Sequence, residues 1–525
     1  MTIRTLTPTL GVSSQIDPAD VAGIAAAGYR SIVCNRPDGE GADQPPASDV
    51  AAAAAAQGLD FAHIPVVSGR IGDGDVTAMA RALAELPAPV LAYCRSGARS
   101  EELATMARAC GEGGIATYDI LVIGGGSAGI ATAASILRRR AGISLAIVEP
   151  GEAHFYQPGW TMVGAGIFRP EATRRDEAGL IPDGAEWIKG AAASFDPKGN
   201  RVTLADGRVL AYRALVLCPG LKLDWNAIPG LADALGTGGV TSNYRYDLAP
   251  YTDRLVRRFR SGRALFTQPP MPIKCAGAPQ KAMYLSCHRW EREGILGKAE
   301  VQFHAATPAL FGVAAYVPSL EAYIARYGID LQLQSRLVSI DGAAKVAVFE
   351  QTRGEDVRRV EERFDMIHVV PPQVAPDFVA ASPLAAPSGF AAVDETTLRH
   401  PVHANVFALG DVAATSNAKT AAAARKQAPV VALNVLAALD GAPPVAAYNG
   451  YGSCPLTVEA GRIVLAEFGY GGKLLPTFPK WLVEGTRPSR LSWLLKEKIL
   501  PPLYWHGMLR GREWLAAPAA IGTQG

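Results

Sequence analysis

Apolar and polar positions along the chain fall into blocks that read as strand, helix and strand again. Residues 119–123 form a short apolar run, 127–140 place their apolar side chains at helical spacing, and 145–148 are apolar once more. This pattern predicts a βαβ unit over residues 118–150. The same succession recurs at 263–267, 279–293 and 299–303 and predicts a second unit of the same kind. Nearer the start, 31–34 and 90–93 read as buried strands, with alanine-rich helices at 18–27 and 48–57 and another helix at 101–108. Residues 215–217 and 405–409 are further apolar strands, and 419–439 reads as a helix kinked or broken at Pro429. The predicted class is α/β. An α/β domain covers residues 1–110 and a glycine-containing linker 111–117. Two Rossmann-type dinucleotide-binding domains cover 118–440, the second at about 245–375, and a helical segment covers 441–525.

Composition changes this picture little. At 525 residues the chain has room for about three to four domains of roughly 100 to 200 residues each. A hydrophobic share of 49% with 19% charged residues belongs to a globular protein that buries large cores. The net charge of +2 gives no ground for nucleic-acid binding. The seven cysteines, Cys34, Cys94, Cys110, Cys218, Cys275, Cys287 and Cys454, follow neither a metal-ligand nor a disulfide-framework spacing, so no metal is expected. The first ten residues lack the apolar core of a signal peptide, and no stretch of about 18 apolar residues occurs. The expectation is a cytoplasmic protein with reduced thiols.

Chemistry enters with the glycines. Gly124, Gly126 and Gly129 stand where a βαβ unit needs a tight turn, close approach to a pyrophosphate, and close packing of helix on strand. Ser127 and Ala128 open the helix whose amino terminus faces the phosphates, and Glu149 ends the second strand, where an acid accepts from a ribose hydroxyl. An adenine dinucleotide is the expected ligand. The second unit departs from this pattern. Residues 268–281, from the end of its strand into the start of its helix, hold four prolines, one glycine and Cys275, a sequence unsuited to a nicotinamide cradle.

A second candidate site lies at residues 94–100, where a strand runs into Cys94, Arg95, Ser96, Gly97, Ala98, Arg99 and Ser100 before a helix. A cysteine at a strand end, closed by glycine and arginine, is an anion cradle, with Arg99 holding the negative group. Sulfur transfer and phosphate-ester hydrolysis both use such a cradle. The six-residue loop from Cys94 to Arg99 resembles that of single-domain rhodaneses, and Tyr93 stands where tyrosine phosphatases usually carry histidine. With residues 11–15 and 35–40, most of residues 5–108 resembles the phosphatase-like sulfurtransferase domain found fused to beta-lactamase-like persulfide hydrolases. Asp73 and Asp75, candidate acids for a phosphatase, read as polar loop residues.

The larger part resembles flavoproteins with two dinucleotide domains of the disulfide reductase type. Gly220, after the strand at 215–217, and Gly410-Asp411, after the strand at 405–409, match the places where such proteins return to their cofactor, and imply FAD. Residues 118–515 further resemble the sulfide:quinone oxidoreductase family, in particular its mitochondrial-like type. The matching segments are 154–160, 274–281, 410–411, 419–423, 451–456 and 503–511. The resemblance implies that two cysteines flank the flavin and that electrons from sulfide pass through FAD to a membrane quinone. Cys275 matches the first cysteine. The second is expected after Gly410-Asp411, where this chain has Val412, and Cys454 is expected to be structural. Cys218 and Cys287 read as packed side chains. Lys419, at the start of the helix 419–439, is expected at the pyrimidine edge of the flavin.

Residues 474–514 hold Trp481, Trp493, Trp505 and Trp514, four of the eight tryptophans, among Lys480, Arg487, Arg490, Lys496, Lys498, Arg510 and Arg512. Such a mixture suits a membrane interface, here the inner face of the plasma membrane, and equally a surface docked on the protein itself or in a homodimer. The resulting expectation is FAD-dependent oxidation of sulfide or a persulfide. Electrons go to a quinone, and sulfur goes to Cys94 directly or through a small thiol acceptor. An NAD(P)H-dependent flavin reductase with a phosphatase domain, and a redox or sulfur-sensing scaffold, are the alternatives.

Overall fold

The computed structural model describes residues 3–42, 44–112 and 115–521. The chain divides into two compact units, one of Met1–Thr117 with Arg201–Ala211 and one of Tyr118–Asn200 with Tyr212–Gly525. Grouping of the hairpin at 201–211 with the first unit is a feature that the sequence pattern does not announce.

The first unit holds a five-stranded sheet in the order Ile3–Thr7, Leu10–Ser13, Val90–Tyr93, Ser31–Cys34, Asp60–His63. Its first pair is antiparallel and the other pairs are parallel. Val90–Tyr93 is buried along its whole length, as a central parallel strand flanked by helices must be. Asp73 and Asp75, expected in a loop, lie in the first turn of a helix, Asp73–Glu85. The carboxylate of Asp75 accepts from the Gly72 N–H at 2.9 Å and so works as a cap. The expected linker at 111–117 is mostly regular structure. The helix Ala98–Glu112 runs into it and the strand Ala116–Ile123 begins within it, while residues 113 and 114 lie outside the described residues.

In the second unit the first βαβ pattern folds as expected. The strands Ala116–Ile123 and Leu145–Val148 pair in parallel, the helix Ser127–Arg139 connects them, and Val406–Ala408 pairs in parallel with the end of Val209–Leu217 in the same sheet. The second Rossmann-type sheet orders Val240–Thr241, Met366–His368, Gly262–Gln268, Ala299–Ala305 and Asp330–Leu333, all parallel. Its core of Phe266, Met283, Tyr284, Trp290 and Phe303 extends onto Cys454, Leu456 and Val464 from a later antiparallel hairpin, Gly452–Glu459 with Arg462–Phe468. Ala421–Leu439 is a single helix capped by Thr420, with Pro429 inside it rather than at a break. Among the described residues no helix is long and apolar enough to cross a membrane.

Candidate active site

The loop between the strand Gly262–Gln268 and the helix Ala278–Arg292 carries Cys275 with φ at +50°, a left-handed conformation unusual for a residue with a side chain. Neighbouring hydrogen bonds over-determine it. The Cys275 N–H donates to the Lys419 carbonyl at 2.8 Å, and the Lys274 N–H donates to Gln373 Oε1 at 2.7 Å. The Tyr244 hydroxyl donates to the carbonyls of Lys274 and Cys275 at 3.0 and 3.3 Å. A strained cysteine fixed from three sides just ahead of a helix amino terminus is placed for chemistry on its sulfur.

Cys454, expected to be structural, is the partner of Cys275. Its Sγ lies 3.9 Å from Cys275 Sγ, 179 residues away along the chain. The hairpin brings it there because residues 452, 454, 456 and 458 share the buried face of one strand. Gly277 permits the approach: a Cβ there would stand 2.6 Å from Cys454 Sγ and 2.2 Å from a Leu456 methyl. The cysteine beside Cys275 is therefore Cys454, whereas the position after Gly410-Asp411 holds Val412, which is fully buried. Cys218 and Cys287 are buried thiols pushed up by that burial, as expected of packed side chains.

The two thiols are electrostatically unlike. Cys275 is held well below the ordinary thiol range, first by the hydrogen bond from Cys454 and then, against burial, by the charges of Lys281 and Lys496. Cys454 is pushed well above that range, by donating to Cys275 and by burial. Lys281 Nζ donates to Cys275 Sγ at 3.1 Å; burial opposes its charge, but the two sulfurs hold it above the ordinary lysine range. The pair thus favours negative charge on Cys275 and the proton on Cys454. Lys496, grouped by sequence with the interfacial basic residues, is 3% exposed and reaches the Pro158 carbonyl at 3.5 Å. Burial and Lys281 bring it down to about 7.

Asp411 and Lys419 line the same region. Gly410, with φ at +73°, donates its N–H to Gln427 Oε1 at 2.8 Å and packs on the start of the first Rossmann helix, where a Cβ would stand 3.1 Å from that of Ala128. Burial raises the Asp411 carboxyl against the charges of Lys274 and Lys419. Lys419 donates to the Ala413 carbonyl at 2.8 Å, and burial lowers it to about 8 against Asp411.

The first Rossmann turn has the geometry its glycines predict. A Cβ at Gly124 would stand 2.5 Å from the Cys218 carbonyl oxygen, and one at Gly129 would stand 1.9 Å from the Gly124 oxygen. At Gly126, the residue before the helix Ser127–Arg139, a Cβ would meet no atom within 4 Å. Gly220 likewise faces open space, with φ at +77°. Both oxygens of Glu149 accept backbone N–H groups, from Gly125 and Gly151, at 2.7 Å each. Glu177 Oε1 is buried beside it with no partner. Open space before a helix amino terminus and an orphaned acceptor close to Glu149 fit a dinucleotide with pyrophosphate and ribose groups.

In the first unit, Cys94 follows the central strand, and its Sγ accepts from the Gly97 N–H at 3.2 Å. Arg99 is turned into the protein. Its guanidinium pairs with Glu40 at 2.7 Å and donates to the carbonyls of Val66 at 2.6 Å and Asn35 at 3.3 Å. Arg36 makes the second contact to Glu40, at 2.7 Å, which leaves Arg95 as the exposed cation of the loop.

Comparison with known proteins agrees with this division. The phosphatase-like domain of beta-lactamase hydrolase-like proteins matches residues 2–111, and the pyridine nucleotide-disulphide oxidoreductase family matches residues 118–257. The beta-lactamase hydrolase-like protein of Agrobacterium fabrum is 36% identical over 111 residues, 21% of this chain and 26% of that protein. The structure of the sulfide:quinone oxidoreductase from Aquifex aeolicus aligns with a TM-score of 0.65 at 20% identity, covering 78% of this chain and 97% of that one, which establishes the shared fold. The mitochondrial sulfide:quinone oxidoreductase of Dictyostelium discoideum is 38% identical over 396 residues, 75% of this chain and 86% of that protein. At that identity and coverage, the chain belongs to the sulfide:quinone oxidoreductase family.

Proposed function

We propose that the second unit oxidises sulfide at the Cys275–Cys454 pair, with FAD as cofactor and a quinone as electron acceptor. The observation that carries this reading is the 3.9 Å separation of two unlike sulfurs beside Lys281. A disulfide needs sulfurs about 2.05 Å apart, so a small inward movement closes the pair. Hydrosulfide is drawn in by Lys281 and Lys496 and attacks the closed pair. The leaving sulfur is the one with the lower pKa, Cys275, so the incoming sulfur bonds to Cys454. One S–S bond forms and one breaks, giving a persulfide on Cys454 and a thiolate on Cys275. An acceptor thiolate then removes the outer sulfur as its own persulfide and leaves both cysteines reduced. Gly124, Gly126, Ser127, Ala128, Gly129, Glu149, Gly220, Gly410, Asp411 and Lys419 would hold FAD, which would supply the two-electron oxidation that closes the pair again, with a quinone as final electron acceptor. Lys419 and the amino terminus of the helix Ala421–Leu439 place positive charge for a reduced, anionic ring.

The natural sulfur acceptor within the chain is Cys94, reached directly or through a small thiol carrier. Its small, N–H-lined loop suits a terminal sulfur. For a membrane quinone the exposed aromatic and basic side chains of the last segment supply the contact. Trp481 is 84% and Trp514 55% exposed, with Lys480, Arg490 and Arg512 exposed on the same stretch. These exposed side chains support a peripheral position at a membrane surface.

The test separates oxidation from transfer. In full-length Cys94→Ser, the first bleaching of the flavin by sulfide is expected to keep the wild-type rate. Turnover with thiosulfate or glutathione persulfide as sulfane donor to the first unit is expected to disappear. Wild-type sulfur transfer in Cys94→Ser would remove Cys94 from the scheme. Efficient phosphotyrosine hydrolysis by the wild type without sulfur transfer would reassign its chemistry.

A further inference from the structure

Four side chains, three of them buried and Ser127 half-buried, form a chain of hydrogen bonds beside the first Rossmann turn. Ser127 Oγ lies 2.6 Å from the Tyr504 hydroxyl, which lies 2.6 Å from His154 Nε2, and His154 Nδ1 lies 3.2 Å from Glu177 Oε2. His154, Glu177 and Tyr504 are each at most 4% exposed. One proton arrangement satisfies every member: Ser127 donates to Tyr504, Tyr504 to His154, and His154 to Glu177. This accounts for one Glu177 oxygen only. The other, Oε1, is buried and unpartnered. Two carboxylates converge on the Gly125 backbone, because a Cβ there would stand 2.6 Å from Glu177 Oε1 and 2.7 Å from Glu149 Cγ. Burial and the neighbouring Glu149 raise the Glu177 carboxyl, with His154 opposing them, as for an acceptor that lacks a donor.

We propose that Glu177 is a second ribose-binding carboxylate, taking one of the two vicinal hydroxyls of the adenosine ribose on Oε1 while Glu149 takes the other. The two glutamates then also exclude a 2′-phosphorylated ribose by charge. Tyr504 and His154 are positioning residues that aim Glu177, so a side chain of the last segment helps to retain the cofactor. The inference rests on the reading that this groove holds FAD.

The experiment is titration of flavin-free protein with FAD, followed by flavin fluorescence, on wild type, Glu177→Ala, Glu177→Gln and Tyr504→Phe, with circular dichroism as the check on folding. Glu177→Ala is expected to bind FAD about 10- to 100-fold more weakly, the loss of a hydrogen bond to a charged acceptor. Glu177→Gln keeps the shape and one acceptor and is expected to lose about 3- to 10-fold, as is Tyr504→Phe. A positional readout separates this role from a merely structural one. Of the 2′-deoxy and 3′-deoxy adenosine analogues of FAD, one should bind wild type more weakly than FAD yet bind Glu177→Ala no more weakly than FAD does. Wild-type FAD affinity in both Glu177 variants, or equal losses for both analogues in wild type and Glu177→Ala, would overturn the proposal while leaving the FAD assignment intact. Failure of the wild type itself to bind FAD would remove the assignment on which the proposal rests.

Discussion

Replacing Cys454 with serine is expected to lower sulfide-dependent quinone reduction by roughly 10³-fold or more, the scale of losing a covalent participant. Serine is slightly smaller than cysteine and of the same shape, so packing around Leu456 and Gly277 is preserved. What disappears is the S–S bond that hydrosulfide must attack. Flavin content is expected to stay at the wild-type level. Cys275 should still be alkylated quickly at neutral pH, because Lys281 remains at 3.1 Å. Steady-state quinone reduction together with the flavin-to-protein ratio checks this. Activity within a few-fold of wild type would return Cys454 to a structural role.

The other large effect concerns cofactor retention. Gly126→Trp is expected to give folded but colourless protein. A Cβ at Gly126 meets no atom within 4 Å, so a bulky side chain there displaces nothing of the protein. It fills the space in front of Ser127, where the phosphates approach the helix amino terminus. Loss of those charge-assisted N–H contacts, about 1.5–3 kcal/mol each, amounts to roughly 100-fold or more in FAD affinity. Unchanged far-UV circular dichroism with absent visible flavin absorbance is the expected pair of readings. A yellow variant would place the pyrophosphate elsewhere.

The readability of this site in the sequence depends on how local its determinants are. Gly124, Gly126, Gly129 and Glu149 announce themselves because a tight turn, an open approach and a strand end are all set within one 33-residue unit, and the structure places each glycine where the pattern predicts. Cys454 does not. Period-2 alternation marks it as inward-facing with Leu456 and Val458, but nothing in a strand pattern says what it faces, and Cys275 lies 179 residues earlier. Analogy with a cysteine after Gly410-Asp411 directs attention to Val412 instead, which is buried and apolar. Composition misleads in the last segment for a related reason. Trp481 and Trp514 are exposed as an interfacial reading requires, while Tyr504, Trp505 and Lys496 are buried in the protein's own core and active site. Hydrophobic and basic residues look alike in sequence whether they face lipid or a neighbouring helix. Arg99 is a comparable case, since its pairing with Glu40 comes from a loop 59 residues away.

The measurement closest to the central claim is an anaerobic titration of the purified, flavin-loaded protein, with sulfide and NADPH added separately while the visible flavin absorbance is followed. Sulfide is expected to bleach the flavin with a stoichiometry near one two-electron equivalent, and NADPH is expected to leave it oxidised, since the turn around Cys275 has three prolines and no glycine before the cysteine, which stands where a nicotinamide would enter. Bleaching by NADPH with no response to sulfide would contradict the account.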